Sequence, residues 1–286
     1  MIKEVKRKSM VIRPSGRSTD FISPSFGFGC LYNCSYCYMK RHRPEGLDVE
    51  TNPEDILNAI YKHSLTANVE KPNQTHPDFI TYDISCNEDF ALHLKYHNWT
   101  KIFDFFVDNP NIMASFATKY VNKELLTYNP QQKVRVRFSL MPQTYADILE
   151  PNTTKIIDRI KAINDFIEAG YDVHINFSPV IVTDDWLQQY QNLFEDINNI
   201  VNKNYRNEVK AEVIFLTHNK DKHEYNLDNN LPGEELLWRP DIQEDKISQY
   251  GGSNIRYKYN LKSHYIKEFI HIHDNIIPWN KIRYIF

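Results

Sequence analysis

Gly27-Phe28-Gly29-Cys30-Leu31-Tyr32-Asn33-Cys34-Ser35-Tyr36-Cys37-Tyr38 carries three cysteines at the spacing C-x3-C-x2-C. Three thiolates in one loop suit a [4Fe–4S] cube, whose irons usually take cysteine sulfur as donor. A cube needs four ligands, so Cys30, Cys34 and Cys37 leave one iron open to bind a substrate directly. The same logic separates catalytic zinc sites, which keep an open position, from closed structural ones. Gly27 and Gly29 let the backbone bend tightly around such a group. A zinc site and three unrelated core cysteines are the competing readings. Zinc knuckles and ribbons follow one C-x2-C pair with a second pair or with histidines. No second pair exists here, and a zinc site of three cysteines and one histidine would have to enlist His42.

Downstream of this loop, strand and helix patterns alternate up to about residue 217. Runs rich in β-branched and aromatic residues predict strands over Phe79–Ser85, Ile112–Thr118, Val134–Leu140, Val173–Pro179 and Ala211–Thr217. Apolar stripes at helical spacing predict helices over Pro53–Leu65, Thr100–Val107, Lys155–Ala169 and Trp186–Val201. Asn52 stands as N-cap with Pro53 in the first turn, and Gly170 marks a helix end. Such alternation argues for parallel βα units. With a first strand ahead of Cys30 there are six, which gives an α/β fold: an incomplete (β/α)6, open TIM-like barrel. A C-terminal β-hairpin around Tyr250-Gly251-Gly252-Ser253-Asn254, a helix over His264–Ile272 and a strand over Lys281–Phe286 complete the chain. Asn202–Glu208 and Lys220–Asn230 read as polar connections. The whole reads as a single domain, with a lead-in over 1–20, the partial barrel over 21–217 and the hairpin, helix and strand over 218–286.

Bulk properties agree. The 286 residues are 41% hydrophobic and 13% aromatic, and the length fits one barrel-like unit. Four cysteines, three of them clustered, make a poor disulfide framework. A net charge of −3 supplies no global basic field, so a nucleic-acid partner needs a local patch. No apolar run reaches the roughly 18 residues a spanning helix needs, and the start Met-Ile-Lys-Glu-Val-Lys-Arg-Lys is charged where a signal peptide turns apolar. A cytoplasmic protein without a membrane partner is expected.

The spacing of Cys30, Cys34 and Cys37, with an aromatic inside the last interval, resembles the signature of the radical S-adenosylmethionine superfamily. That resemblance implies that the open iron takes the amino and carboxylate groups of S-adenosyl-L-methionine. One electron then breaks a sulfur–carbon bond to give methionine and a 5′-deoxyadenosyl radical. Within the superfamily several stretches resemble the spore photoproduct lyase family, which reverses a UV-induced thymine dimer in DNA. They are Asn33–Tyr38, Ser85-Cys86-Asn87-Glu88-Asp89, Phe116-Ala117-Thr118-Lys119, Val134–Leu140, Glu150-Pro151-Asn152-Thr153 and Ala169-Gly170-Tyr171. Weaker similarity runs on to Ile282-Arg283-Tyr284, so the match spans most of the chain from Cys30 onward. The resemblance departs at the stretch before Cys30, which is shorter here, and at Leu237–Tyr250.

Roles follow from this likeness. Cys86, at the mouth end of the second strand candidate, would quench the substrate radical by giving up its thiol hydrogen. Its bland alternative is a small buried hydrophobe. Tyr36 and Tyr38 would relay a hydrogen atom back, or simply shield the cluster. Lys119 would pair with the S-adenosyl-L-methionine carboxylate, a charge-assisted contact, and Ser139 would help hold the same ligand. Arg239, Lys246, Arg256, Tyr257, Lys258 and Tyr259 would meet DNA, mixing cations with rings that stack on bases, and Lys40, Arg41, His42 and Arg43 add a second basic run. An electron donor such as a flavodoxin or ferredoxin is implied. Two other readings remain. One is a radical enzyme of the same fold acting on a peptide, RNA or small molecule; the other is a non-catalytic protein that holds a metal on its three clustered cysteines.

Overall fold

The alternation of β-branched runs and amphipathic stripes becomes one curled sheet with helices on its outside. The computed structural model describes residues 1–247 and 252–286. The main sheet holds β1 (Arg13–Pro14), β2 (Phe21–Ile22), β3 (Ile80–Asp83), β4 (Ile112–Thr118), β5 (Val134–Ser139), β6 (Asp172–Val180), β7 (Lys210–Phe215) and β8 (Lys281–Ile285). These eight lie side by side in chain order. Every neighbouring pair from β2 to β8 is parallel, and only β1 runs antiparallel to β2. Sequential parallel order is the layout of a β/α barrel left open. Its two edges meet through side chains: the Tyr284 hydroxyl lies 2.7 Å from that of Ser18, and Arg17 sits 3.8 Å over the Phe286 ring.

β5 shows how the pattern builds a barrel wall. Val134, Val136 and Phe138 alternate with Arg135, Arg137 and Ser139, and all six are buried. Alternate strand residues point to opposite faces, so the polar set lines the interior while the apolar set meets the helices. Phe138 packs edge-on against Phe166 of the Ile156–Glu168 helix at 5.1 Å. Full burial of one such side chain is worth about 1.5–3 kcal/mol.

Helices over Pro53–Ser64, Trp99–Asp108, Ile156–Glu168 and Trp186–Ile200 fall where their stripes place them. Asn52 takes the N-cap position, yet its side chain donates to Asp55 and caps nothing. Three expectations change. The strand just ahead of Cys30, Gly27–Gly29, belongs to a separate small sheet with Leu47–Glu50 and Ile2–Val5; the barrel's first parallel strand is β2. The terminal strand β8 is not an appendage but the seventh parallel strand of the barrel. Within the supposed polar connection, Lys220–Asp228 is a helix. It buries only Lys222 and Asn226, so no apolar stripe announces it. The last helix spans Tyr259–Ile276, longer than its apolar centre suggests. Gln243–Ile247 and Ser253–Tyr257 form the expected antiparallel hairpin, extended by Thr217–His218. Tyr250-Gly251 of its proposed turn lie outside the described residues.

Candidate active site

The cysteine loop leaves the Gly27–Gly29 strand through a sharp bend. Gly29 has φ 117°, and a Cβ there would sit 2.6 Å from the Gly46 carbonyl oxygen; one on Gly27 would meet the Glu88 carboxylate at 2.5 Å. Both glycines are therefore required by close approach. Beyond the bend the loop is held at its backbone from several directions. The Leu31 amide donates to His93 Nε2 at 3.3 Å, and the Ser35 amide to the Leu149 carbonyl at 3.0 Å. Lys40 Nζ reaches the Cys30 carbonyl at 3.0 Å, Lys222 Nζ that of Tyr36 at 2.6 Å, and Asn226 Nδ2 that of Ser35 at 2.9 Å. Asn226 also bonds Glu234, which takes His218 at 2.8 Å and His223 at 2.6 Å. The C-terminal region thus clasps the loop from behind.

Cys30, Cys34, Cys37 and Cys86 are all free thiols and all line one cavity of about 370 Å³ at the carboxyl ends of the strands. Burial, with Asp89 nearby, pushes the Cys30 thiol up to about 12, and burial also pushes Cys34 well above its ordinary value. Cys86 has different company. Ser25 Oγ lies 3.8 Å from its sulfur, and burial together with Asp83 raises it to about 11. The Tyr38 hydroxyl donates to the Cys86 carbonyl at 2.7 Å and to Asn87 Oδ1 at 3.0 Å.

Lys119 shares this cavity at the end of β4. Its amide donates to Asp89 at 2.8 Å and its ammonium lies 5.5 Å from the Tyr36 ring centre. Burial works against the charge, but Glu150 and Asp89 outweigh it and hold the ammonium above the usual lysine value. Tyr36 donates its hydroxyl to Glu150, which Arg159 grips at 2.9 Å. The donor set fits a thiolate-bound cluster: three thiols of one loop face a space that also contains a cation for a carboxylate.

Ser139 is buried and does not line the cavity; Asn176, 3.5 Å from its hydroxyl, does, with its Oδ1 buried and unpartnered. His42 packs on Tyr38 at 5.9 Å and lies outside the cavity lining. Several site residues carried no sequence signal. Arg137 crosses the barrel to Asp83 at 2.6 Å and Glu212 at 2.9 Å. Glu88 accepts from His93 at 3.0 Å and His97 at 2.9 Å; burial raises it, but the two imidazoles win and hold it at about 2. Its Oε1 is buried without a partner beside the cavity. Asp83 and Glu212 lie far from Arg137 in sequence, and no local pattern links Glu88 to its two histidines.

The basic candidates are largely occupied. Tyr257 is buried, accepting from the Val182 amide at 2.9 Å, because inward-facing positions of its strand fall on the core; it offers no ring to a base. Arg239 pairs with Asp241 at 2.6 Å, Arg256 with Glu244 at 3.1 Å, and Lys258 donates to the Asp241 carbonyl at 2.7 Å. Lys246 is exposed on the same hairpin, and the ring of Tyr259, at the start of the last helix, is exposed as well. In the second run Lys40 is turned inward and Arg43 pairs with Asp48 at 3.0 Å.

Comparison with known proteins gives one answer. The family model described as spore photoproduct lyase matches residues 4–286. Spore photoproduct lyase of Bacillus subtilis (strain 168) is 25% identical over 284 residues, spanning 97% of this chain and 80% of that protein. The same enzyme of Geobacillus sp. (strain Y412MC61) is 25% identical over 197 residues, 67% of this chain and 54% of that one. A solved spore photoproduct lyase complexed with dinucleoside spore photoproduct superposes over 100% of this chain and 82% of its own at TM-score 0.88 and 19% identity. A double mutant with bound AdoMet and dinucleoside spore photoproduct superposes equally, at TM-score 0.88 and 18% identity. At these identities the solved structures establish the fold.

Proposed function

The chain belongs to the spore photoproduct lyase family, and from that premise we propose that it is a radical S-adenosyl-L-methionine lyase that reverses a UV-induced thymine dimer lesion in DNA. One observation carries the reading: the three thiols of the Cys30–Cys37 loop open onto the same cavity as Lys119 and Cys86. Cys30, Cys34 and Cys37 would hold a [4Fe–4S] cluster, and Lys119, with Asn176 close by, would take the polar end of S-adenosyl-L-methionine. When bound, that pair supplies a primary carbon radical able to abstract hydrogen from a substrate carbon.

The chain's own residues then shape the outcome. A thiol held at about 11 keeps its hydrogen at neutral pH, so Cys86 remains the S–H form that can deliver a hydrogen atom to a product radical. Delivery would leave a sulfur-centred radical, and Tyr38, whose phenolic hydroxyl donates to the Cys86 carbonyl, is the residue proposed to return a hydrogen atom to it. Tyr36, engaged by Glu150 and lying beside the Lys119 ammonium, serves as support for the cofactor end. Ser139 acts through Asn176. Lys246 and Tyr259 would meet the DNA backbone and bases, with Arg239, Arg256 and Lys258 available only by exchanging their present partners. A reduced flavodoxin or ferredoxin would deliver the electron. Among the described residues no helix is long and apolar enough to cross a membrane.

The test is to incubate anaerobically reconstituted protein with S-adenosyl-L-methionine, a reductant and UV-irradiated dry DNA. Restored thymine is expected. Uncoupled cofactor cleavage with the lesion intact would move the substrate to a peptide, RNA or small molecule, and a colourless zinc protein would end the radical reading altogether.

A further inference from the structure

At the opposite end of the barrel from the cysteines, a cleft of about 270 Å³ opens beneath the first residues of β7 and β8. Lys210 and Lys281 both line it, and they are direct register partners on these adjacent parallel strands. Strands lie about 4.8 Å apart, and like charges placed side by side across that spacing destabilise a sheet. Neither ammonium has a hydrogen-bond or carboxylate partner among the described residues. Arg283, two positions along β8, lines the same cleft, and its Nε is buried and unpartnered. Asp78 is an exposed carboxylate next to the cleft's His76, and the two carboxylates of the barrel wall are already committed. Asp172 is taken by Arg135 at 2.7 Å and His174 at 3.2 Å, and Glu212 by Arg137, Arg283 and Tyr284. Burial depresses the Lys210 ammonium; Asp172 opposes this, while Arg135, Arg283 and Lys281 add to it.

The other wall adds a neutral donor. His76 Nδ1 accepts from the backbone amides of Asp78 at 3.0 Å and Phe79 at 2.9 Å. That fixes the tautomer, so Nε2 carries the hydrogen, and this N–H has no acceptor among the described residues. Burial and Arg135 hold the imidazole near 4, so it stays neutral. Two unpaired ammonium groups and a fixed imidazole N–H around one small cleft are donors lacking an acceptor; the guanidinium beside them adds charge, its terminal nitrogens already donating to the Gln74 and Thr75 carbonyls and to Glu212.

We propose that this cleft binds a phosphate group, the anion whose several oxygens match converging donors and whose charge would relieve the Lys210–Lys281 repulsion. The phosphate comes either free, as inorganic phosphate or a small phosphate ester, or from a DNA backbone reaching past the barrel's lower rim. The site is separate from the proposed reaction, since Ile214, near the far end of β7, is the part of that strand facing the cluster cavity.

Calorimetric titration of the reconstituted full chain with inorganic phosphate, against chloride at matched ionic strength, tests the free source. Saturable binding is expected, weakened at least about tenfold in the Lys210→Gln, Lys281→Gln double variant. A parallel titration with undamaged duplex DNA tests the backbone source: if free phosphate binds no better than chloride, the double variant should instead lose duplex affinity. The double variant should cleave S-adenosyl-L-methionine normally. In phosphate-free buffer the exposed single change Lys281→Gln should raise the melting temperature, because it removes one of two facing charges. A phosphate response unaltered in the double variant, a loss in neither titration, or a Lys281→Gln protein that melts lower without phosphate overturns the proposal.

Discussion

The Tyr38 hydroxyl donates to the main-chain carbonyl of Cys86 at 2.7 Å, so the residue after the last cysteine of the loop is tied to the cysteine just beyond the mouth end of β3. The bond joins the two halves of the proposed chemistry, cofactor cleavage on the loop and hydrogen return on the barrel. It uses the backbone of Cys86, which leaves the thiol free to face the cavity.

Cys86→Ala should leave cluster assembly and 5′-deoxyadenosine production intact while diverting the substrate radical to side products. Chromatography of the products checks this. Repaired thymine as the sole product of that variant would remove Cys86 from the donor role.

Tyr38→Phe keeps the ring and loses one hydrogen bond to Cys86 and one to Asn87. Each is worth about 0.5–1.5 kcal/mol. Folding should survive, turnover should fall by about one order of magnitude, and the ratio of deoxyadenosine formed to thymine restored should rise. An unchanged ratio means that Tyr38 only shields the cluster.

Cys34→Ala should abolish cluster assembly, read as loss of the brown colour and of iron and sulfide in oxygen-free material. Because Cys34 is the most buried of the three loop cysteines, neighbouring water is a poor substitute ligand. Retained S-adenosyl-L-methionine cleavage by this variant would refute the ligand assignment.

Acid should unfold the protein partly through Glu212. Burial raises its carboxyl, but Arg137 and Arg283 outweigh that and lower it from 4.5 to about 2. An acid with a depressed folded value stabilises the fold above its unfolded value and loses that contribution as pH falls through the folded one. The loss therefore develops between about 4.5 and 2. Glu212→Gln should flatten stability against pH in that window and destabilise by about 3–5 kcal/mol at neutral pH, since two buried guanidinium groups lose their counter-charge. Denaturant midpoints across pH measure both.

Lys246→Ala should weaken DNA binding by a similar factor on any sequence and lower the slope of log affinity against log salt by about 1. An unchanged slope means that the hairpin does not meet phosphate.

Most of the barrel was legible because its signals are local. Ile112–Thr118 announces itself by composition, and Ile156–Glu168 by its apolar stripe and the Gly170 stop. The exceptions were elements whose burial is decided by distant partners. Gly27–Gly29 stands where a first strand was expected, but which sheet it joins depends on Leu47–Glu50. Lys220–Asp228 lacks an apolar stripe because it packs through Lys222 and Asn226, whose acceptors are backbone carbonyls of the cysteine loop. Tyr257 read as a surface ring beside Arg256 and Lys258; the pleat turned it inward.

The sequence alone determined the candidate cluster ligands and the alternating βα order, since a three-cysteine loop and a hydrophobic period are properties of neighbouring residues. Only the tertiary structure decided what else surrounds the cavity. Glu88 with His93 and His97, Asn176 in front of Ser139, and Arg137 between Asp83 and Glu212 are brought together by strands closing side by side. Most of those contacts span long stretches of chain, and their energies come from burial and charge pairing that no local pattern encodes.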